Sequence, residues 1–137
     1  MSSPGPLRPI MLIDDNRDDL FVLRQRVQRS GVENPIVAFE DADEAIAQLK
    51  RTMADFPDEL PAVIFLDLRM PRRGGFDVLK WIRSQPALVN VTVVIVSNSS
   101  LPEDASRALV LGATEFLAKY PSPEKLAEIV GAATGAK

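Results

Sequence analysis

Two chemically distinctive residue types are missing from this chain of 137 residues, which contains no cysteine and no histidine. The absence of cysteine excludes disulfides and thiolate metal sites. The absence of histidine removes the usual zinc ligand and the usual general base. Any metal site must therefore be built from oxygen ligands, which favours a hard cation such as Mg²⁺.

The chain also lacks the features of proteins that bind nucleic acids or membranes. Its formal net charge is −3, whereas a protein that binds phosphate backbones usually carries a basic surplus. No apolar run approaches the roughly 20 residues of a membrane span, and the N-terminus lacks the charged-then-apolar order of a signal peptide. We therefore expect neither nucleic acid nor membrane among its partners, and we expect a cytoplasmic location.

Short apolar runs alternate with helical patterns along the sequence. Five runs are too short for helices and are typical of buried strands: residues 9–14, 35–39, 63–66, 91–96 and 115–118. Helical spacing predicts five helices. The first carries Leu20, Leu23 and Val27 and ends at Gly31, the third carries Phe76, Leu79 and Ile82, and the others lie near residues 41–53, 102–111 and 123–133. Glu40 and Asp41 are interpreted as helix-capping residues, as is Ser122. Residues 55–61 are predicted to be a loop, because their two prolines cannot continue a helix.

This alternation predicts the α/β class and a single domain. Continuously apolar strands joined by helices are typical of a parallel sheet that helices cover on both faces. The length of the chain suits one domain. We predict a flexible tail at residues 1–8, the domain at residues 9–133 and a short tail at residues 134–137.

Polar side chains stand at the ends of four of the predicted strands. They are Asp14 and Asp15 after the first strand, Asp67 after the third, Ser97 after the fourth and Lys119 after the fifth. Ligands of doubly wound sheets bind at this edge of the sheet. The pattern therefore marks these five residues as the candidate site.

Each of these residues also has a purely structural interpretation. Asp15 or Asn16 could cap the first helix, and Asp67 could form a turn. Ser97 could begin a helix cap, and Lys119 could be an ordinary solvated lysine. Sequence position alone leaves these alternatives open for each residue.

Taken together, the strand ends would gather three carboxylates, one hydroxyl and one ammonium group. Clustered carboxylates repel one another and raise the pKa of at least one member. A divalent cation makes such a cluster tolerable, and Mg²⁺ prefers oxygen ligands. The lysine and serine would then bind an anion beside the metal, and an incoming phosphoryl group fits that description.

In order and spacing, these segments resemble the receiver domains of two-component response regulators over residues 9 to about 133. The matching motifs are Ile-Asp-Asp-Asn at 13–16, Phe-Leu-Asp-Leu-Arg-Met-Pro at 65–71, Gly-Gly-Phe at 74–76, Val-Ile-Val-Ser at 94–97 and Gly-Ala-Thr-Glu-Phe-Leu-Ala-Lys at 112–119. The connection through Pro57 and Pro61 resembles single-domain regulators that serve phytochrome-type histidine kinases.

The resemblance implies a flavodoxin-like sheet of five parallel strands in the order 2-1-3-4-5, flanked by five helices. It implies that Asp67 accepts a phosphoryl group from a histidine kinase or a phosphotransfer protein. It also implies a Mg²⁺ site formed by Asp14, Asp15, Asp67 and the backbone carbonyl of Arg69. The chain would then be a signalling switch without an output domain, not an enzyme that turns over a substrate.

By the same resemblance, Lys119 pairs with the phosphoryl oxygens and Ser97 donates a hydrogen bond to them. Three residues depart from the family pattern. Tyr120 separates the lysine from the proline that usually follows it directly, and Phe116 stands where tyrosine is commoner. Asn98 follows the serine where a small residue is usual. These departures predict either a cis bond between Lys119 and Tyr120 or a rebuilt loop after the lysine. They also predict a switch aromatic without a hydroxyl and altered access to the phosphate.

We predict the output surface on helix four, strand five and helix five, roughly residues 101–130, because Ser97, Phe116 and Lys119 lie on or beside this region. This surface would bind a downstream protein partner or a second copy of the chain. Within it we predict an inward stripe at helical spacing, with two apolar residues left over. The stripe comprises Leu101, Ala105, Ala108, Leu109 and Gly112, and the residues left over are Val110 and Leu111. The alternative is a broader buried stripe that includes the residues left over.

Two other functions are consistent with parts of the pattern. A phosphohydrolase of the haloacid-dehalogenase type would also use an aspartate nucleophile. That class carries a second acid two residues later, where this chain has Arg69. A receiver-like binding module that is never phosphorylated is the other alternative. Steady hydrolysis of a phosphate monoester would favour the first, and failure to react with a small phosphodonor would favour the second.

Overall fold

Strands and helices alternate along the chain. The computed structural model describes residues 7–68 and 74–135. The strands in this part of the chain are β1 (Ile10–Ile13), β2 (Ile36–Phe39), β3 (Val63–Leu66), β4 (Thr92–Ser97) and β5 (Glu115–Ala118). The α-helices are α1 (Arg17–Arg29), α2 (Ala42–Asp55), α3 (Gly75–Ser84), α4 (Pro102–Val110) and α5 (Pro123–Thr134).

All five strands join one parallel sheet in the order β2-β1-β3-β4-β5. This confirms the predicted fold and strand order. Every residue of β1 and β3 is buried, which explains why these strands are apolar throughout and not alternating. The ends of β1 and β3 are therefore neighbours at the centre of one edge of the sheet.

The sheet separates two apolar layers. The α2–α4 layer packs α2, α3 and α4 against one face, with Ile13, Leu66 and Ile95 pointing into it. The α1–α5 layer packs α1 and α5 against the other face, with Leu12 and Phe65 pointing into it. Successive strand residues thus enter opposite layers, as the two-residue period of a strand requires.

Side-chain caps begin three of the helices. The carboxylate of Asp41 accepts the backbone N–H groups of Asp43 and Glu44 at the start of α2. The hydroxyl of Ser122 begins α5 in the same way, so the predicted caps Asp41 and Ser122 are confirmed. The capping interpretation was wrong for Glu40, whose carboxylate pairs with Arg17 of α1 at 3.3 Å. At the start of α1 the cap is Asn16, so the interpretation of Asp15 as a cap does not apply.

The interpretation of residues 55–61 as a loop throughout was wrong. Helix α2 extends to Asp55, and a 3-10 turn follows at Pro57–Glu59. Pro57 occupies the first position of this turn, where a missing N–H and a fixed φ angle are tolerated.

The predicted inward stripe of α4 was wrong in part. Leu101 and Leu109 are 51% and 52% exposed, and Ala108 is the buried residue of this helix. Leu111 packs against the α2–α4 layer, whereas Val110 is 85% exposed. The physical reason is that Leu101 precedes the first turn of α4, so that the inward face follows Ala108 and Leu111 at three-residue spacing.

Parts of the predicted tails lie outside the described residues, namely residues 1–6 and 136–137. Within the described part, the guanidinium group of Arg8 donates hydrogen bonds to the carbonyl oxygens of Leu60 (2.9 Å) and Pro61 (2.8 Å). None of the helices in residues 7–68 and 74–135 has the length and apolar character needed to cross a bilayer.

Candidate functional site

Three carboxylates meet at the carboxyl edge of the sheet. Asp14 follows β1 and Asp67 follows β3, and the backbone N–H of Asp67 donates to the carbonyl of Ile13 at 2.9 Å. Asp14 and Asp67 are buried, while Asp15 is exposed. Asp14, Asp15 and Asp67 each offer one carboxylate oxygen, and these atoms lie within 4.8 Å of one another. The structure thus brings together the three acids that the sequence pattern singled out.

The ammonium group of Lys119 lies among these acids. Its Nζ is 2.9 Å from Asp14 Oδ2 and 3.2 Å from Asp67 Oδ1. The side chain is only 5% exposed, so the interpretation of Lys119 as a solvated lysine does not apply. Lys119 therefore belongs to the same cluster as the acids.

Burial and mutual repulsion perturb the titration of this cluster. Burial, and then the charge of Asp14, raises the pKa of Asp67 to about 6. Burial also raises the pKa of Asp14. Burial alone would lower the pKa of Lys119, but its hydrogen bonds to Asp19 and Asp14 outweigh this and raise it. Near neutral pH the lysine is therefore charged, and Asp67 is harder to ionise than an ordinary aspartate.

A fourth acid, Asp19, belongs to the cluster and was missed by the sequence analysis. Its carboxylate accepts a hydrogen bond from Lys119 Nζ at 2.7 Å and another from the hydroxyl of Tyr120. Donation from Lys119, and then from Tyr120, lowers the pKa of Asp19. One signal was available: Asp19 precedes the buried Leu23 and Val27 at intervals of four, so it shares the inward face of α1.

Tyr120 stands on the α1 side of the site. The peptide bond between Lys119 and Tyr120 is cis. The guanidinium group of Arg26, on α1, lies 5.7 Å from the centre of the Tyr120 ring and donates to the carbonyl of Pro121 at 3.4 Å. Tyr120, one of the three residues that depart from the family pattern, therefore links the loop after Lys119 to α1.

Ser97 ends β4 at the same edge and is buried. Its Oγ accepts the backbone N–H of Ser99 at 3.0 Å, and its carbonyl accepts the N–H of Lys119 at 3.0 Å. Helix α4 begins later, with Leu101 in the cap position, so Ser97 is not the cap of that helix. Arg69, predicted to contribute its carbonyl, lies outside the described residues.

The turn after Asp67 requires a residue without a side chain. A Cβ atom added to Gly75 would lie 2.4 Å from the carbonyl oxygen of Asp67 and 2.7 Å from Cα of Leu68. Both atoms belong to the backbone, so neither could move aside without shifting the aspartate. Gly75 thus lets α3 begin directly beneath Asp67.

We expect Gly75→Ala to destabilise the protein by about 1–3 kcal/mol, the usual cost of overpacking. We also expect it to displace Asp67 and slow any reaction of its carboxylate. Chemical denaturation measures the first effect. Gly74→Ala is the matched control, since its Cβ would lie 3.9 Å from the carbonyl of Leu68, an ordinary contact. Equal stability of the two variants would contradict this account.

The donor set suits a divalent metal ion. All three candidate ligands are carboxylates, which hard cations prefer. Four carboxylates, those of Asp14, Asp15, Asp19 and Asp67, share the site with one ammonium group. The resulting excess of negative charge favours a cation, and the buried ammonium can at the same time contact an anion attached to Asp67.

The chain is similar to known proteins both in sequence and in fold. The family model described as the response regulator receiver domain matches residues 10–131. The response regulator Rcp1 of Synechocystis sp. is 25% identical over 92% of this chain and 86% of its own length.

Two solved structures of related regulators superpose on nearly the whole chain. The phosphorylated cyanobacterial phytochrome response regulator RcpA is 29% identical, with a TM-score of 0.74 over 92% of this chain and 90% of that chain. The bacteriophytochrome response regulator AtBRR is 30% identical, with a TM-score of 0.78 over 93% of this chain and 94% of that chain. Since the family model covers every strand and reaches into α5, this chain belongs to the receiver domains of two-component response regulators.

Proposed function

We propose that Asp67 accepts a phosphoryl group from the phosphohistidine of a histidine kinase or a phosphotransfer protein, with Mg²⁺ as cofactor. The observation that carries this proposal is the environment of Asp67. The residue is buried at the end of a central strand, with the ammonium of Lys119 at 3.2 Å and two further carboxylates within 4.8 Å. Phosphoryl transfer depends mainly on positioning and on the stabilisation of negative charge, and this environment offers both.

In the proposed reaction a carboxylate oxygen of Asp67 attacks phosphorus. The new P–O bond gives an acyl phosphate, while the P–N bond of phosphohistidine breaks and the imidazole nitrogen keeps its electron pair. Asp14, Asp15 and Asp67 would hold Mg²⁺, together with the backbone carbonyl of Arg69. Bound there, the cation would offset the negative charge of the carboxylates and the phosphoryl oxygens.

Lys119 and Ser97 would act on the phosphoryl group after transfer. The ammonium of Lys119 lies beside Asp67 and would pair with a phosphoryl oxygen. The hydroxyl of Ser97 accepts a hydrogen bond from Ser99, which leaves its own hydrogen to be donated to a second oxygen. Contacts that exist only in the phosphorylated state are what shift a conformational equilibrium.

We propose a signalling switch and not a phosphohydrolase. The phosphohydrolase alternative needs a second acid two residues after the nucleophile, and the sequence has Arg69 there. The similarity to RcpA and AtBRR supports a kinase of the phytochrome type as the donor. A cytoplasmic location follows for such a partner, because the kinase makes its phosphohistidine from ATP.

An intact-mass measurement tests this function. After incubation with acetyl phosphate and Mg²⁺, we expect the protein to gain one phosphoryl group, and we expect EDTA to suppress the gain. Hydroxylamine should remove the added mass, since it cleaves acyl phosphates. A protein that stays unmodified would support the alternative of a binding module that is never phosphorylated.

The Asp15→Ala variant tests the metal site separately. Loss of one direct oxygen ligand is expected to weaken Mg²⁺ binding about tenfold or more and to slow phosphorylation. Calorimetric titration gives the affinity. Asp18→Ala, an exposed acid of the same region, is the control for the change in net charge. If both variants bind Mg²⁺ equally well, Asp15 is not a ligand.

We also propose that the signal leaves through α4, β5 and α5, toward a downstream protein or a second copy of the chain. Leu101, Leu109 and Val110 expose apolar side chains on or beside α4, and such exposure on one helix marks an interaction surface. Lys119 and Ser97 adjoin the same elements, so phosphorylation would act directly on them.

Val110→Glu is the sharpest test of that surface, because Val110 is 85% exposed and its loss leaves the core intact. We expect normal folding and phosphorylation of Asp67 but no phosphate-dependent association in light scattering or pull-down assays. Val89→Glu, at a residue 59% exposed outside this surface, is the matched control. Normal association of the Val110 variant would place the output surface elsewhere.

A further inference from the structure

Three carboxylates already contact the Lys119 ammonium group, and the contact with Asp19 is a hydrogen bond. Its Nζ lies 2.9 Å from Asp14, 2.7 Å from Asp19 and 3.2 Å from Asp67, and an ammonium group has three N–H donors. The side chain is 5% exposed. A phosphoryl oxygen on Asp67 would therefore compete with Asp14 and Asp19 for this lysine.

Asp19 is the carboxylate whose release matters most. Its contact with Lys119 is the shortest of the three. Asp14 is a candidate metal ligand, and one of its oxygens accepts the backbone N–H of Asn16 at 2.9 Å. Asp19 is neither one of the three candidate metal ligands nor the proposed phosphoacceptor. Its main effect in the site is therefore to hold the ammonium group of Lys119.

Tyr120 acts on the same carboxylate. Its hydroxyl donates to Asp19 Oδ1, while Lys119 donates to Oδ2. Tyr120 is the only tyrosine in the chain. Phe116, at the family's switch position, has no hydroxyl and packs against the α2–α4 layer. The aromatic ring that is coupled to Lys119 therefore lies on the opposite side, next to α1.

We propose that Asp19 is a positioning residue that competes with the phosphoryl group for Lys119, and that Tyr120 weakens this competition through its hydrogen bond to Asp19. The inference rests on the proposed function, because it requires a phosphoryl group on Asp67. Phosphorylation then draws Lys119 away from Asp19, and the Asp19–Tyr120 pair reports this change to the loop between β5 and α5.

The competition predicts opposite effects for two substitutions. Asp19→Asn removes the competing charge and should strengthen the binding of beryllofluoride, a phosphoryl mimic, by about fivefold in the presence of Mg²⁺. Tyr120→Phe removes the donor that shares Asp19, so that Asp19 holds Lys119 more tightly and binding weakens by about fivefold. Fluorine NMR of the bound mimic gives both affinities.

Two controls separate this mechanism from simpler effects. Asp18→Asn makes the same change in net charge at the neighbouring residue, which is exposed, and should leave the affinity near that of wild type. In wild type, tyrosine labelled with ¹³C at Cζ gives one resonance because the chain has a single tyrosine. That resonance should move when beryllofluoride binds, and it should be unresponsive in Asp19→Asn.

The outcomes distinguish the inference from the proposed function. If wild type neither binds beryllofluoride nor accepts phosphate, the proposed function is wrong. If wild type binds but both variants weaken binding, Asp19 and Tyr120 are only structural and the inference is wrong. The inference would also be overturned if both variants bound beryllofluoride with the affinity of wild type. The same holds if the Tyr120 resonance of wild type did not shift when beryllofluoride binds.

Discussion

The Asp67→Asn variant is expected to accept no phosphoryl group under conditions in which the wild-type protein accepts one. The amide cannot form an acyl phosphate, and the carboxylates that remain in the site lie beside Lys119 and the candidate metal position. Intact mass after treatment with acetyl phosphate and Mg²⁺ measures the result. Full modification of this variant would remove Asp67 from its proposed role.

The same substitution should stabilise the metal-free protein at pH 7 by about 2 kcal/mol. Folding raises the pKa of Asp67 from 3.8 to about 6, and one pKa unit corresponds to about 1.4 kcal/mol. The raised pKa already includes the attraction of Lys119, and rearrangement of the site around the amide is expected to reduce the gain. Urea denaturation in the presence of EDTA measures the difference in the free energy of unfolding.

The contribution of Asp67 to the free energy of unfolding depends on pH, and the raised pKa fixes the sign of that dependence. Between pH 4 and 6 the folded protein retains a proton on Asp67 that the unfolded chain releases, so this group lowers stability as the pH rises through that range. Below pH 4 both states are protonated and the penalty is absent, while above pH 6 it is complete. The stability gained by Asp67→Asn should therefore grow from pH 4 to pH 6 and then level off. A gain that is the same at all pH values would contradict the raised pKa.

Lys119→Met is expected to destabilise the metal-free protein by about 3 kcal/mol at pH 7. Removing one partner of a buried ion pair leaves the other charge uncompensated. Here the ammonium group serves three carboxylates, those of Asp14, Asp19 and Asp67. The loss should shrink at pH 5, because protonation of Asp67 relieves the repulsion, and it should shrink when Mg²⁺ is added. The variant should still accept phosphate, but more slowly.

Lys125→Met provides the matched control for this measurement. The ammonium of Lys125 pairs with Glu115 at 2.9 Å, but both side chains are about one-third exposed. Exposed ion pairs contribute little to stability, so the control should change the free energy of unfolding far less. If the two lysine variants are equally stable at pH 7, then the buried cluster does not depend on Lys119 for its stability.

The strands and the central acids could be predicted because their signals are local. A run such as Val63–Leu66 is too short and too apolar to be anything but a buried strand, and the strand order followed from the family resemblance. The strand ends then gave Asp14, Asp67 and Lys119 without any knowledge of side-chain conformations. The site could be predicted to this extent because parallel strands end at one edge of a sheet.

The features that were missed depend on how one element lies against another. Asp19 has the local pattern of an ordinary acid in the first turn of a helix, and its contact with Lys119 spans 100 residues of sequence. The inward face of α4 depends on how the helix is rotated against the sheet, and this rotation turns Leu109 outward and packs Leu111 against the α2–α4 layer. Neither property is encoded in a short window of sequence.

The two apolar layers have a consequence for how this receiver domain tolerates amino-acid substitutions. Ile82 of α3 lies in one layer and Val130 of α5 in the other, with the sheet between them. The effects of substitutions on stability are usually additive when the substituted residues share no neighbours. Substitutions in one layer should therefore change stability nearly independently of substitutions in the other. The helices on one face can diversify to suit new binding partners while the opposite face keeps the fold above its stability threshold.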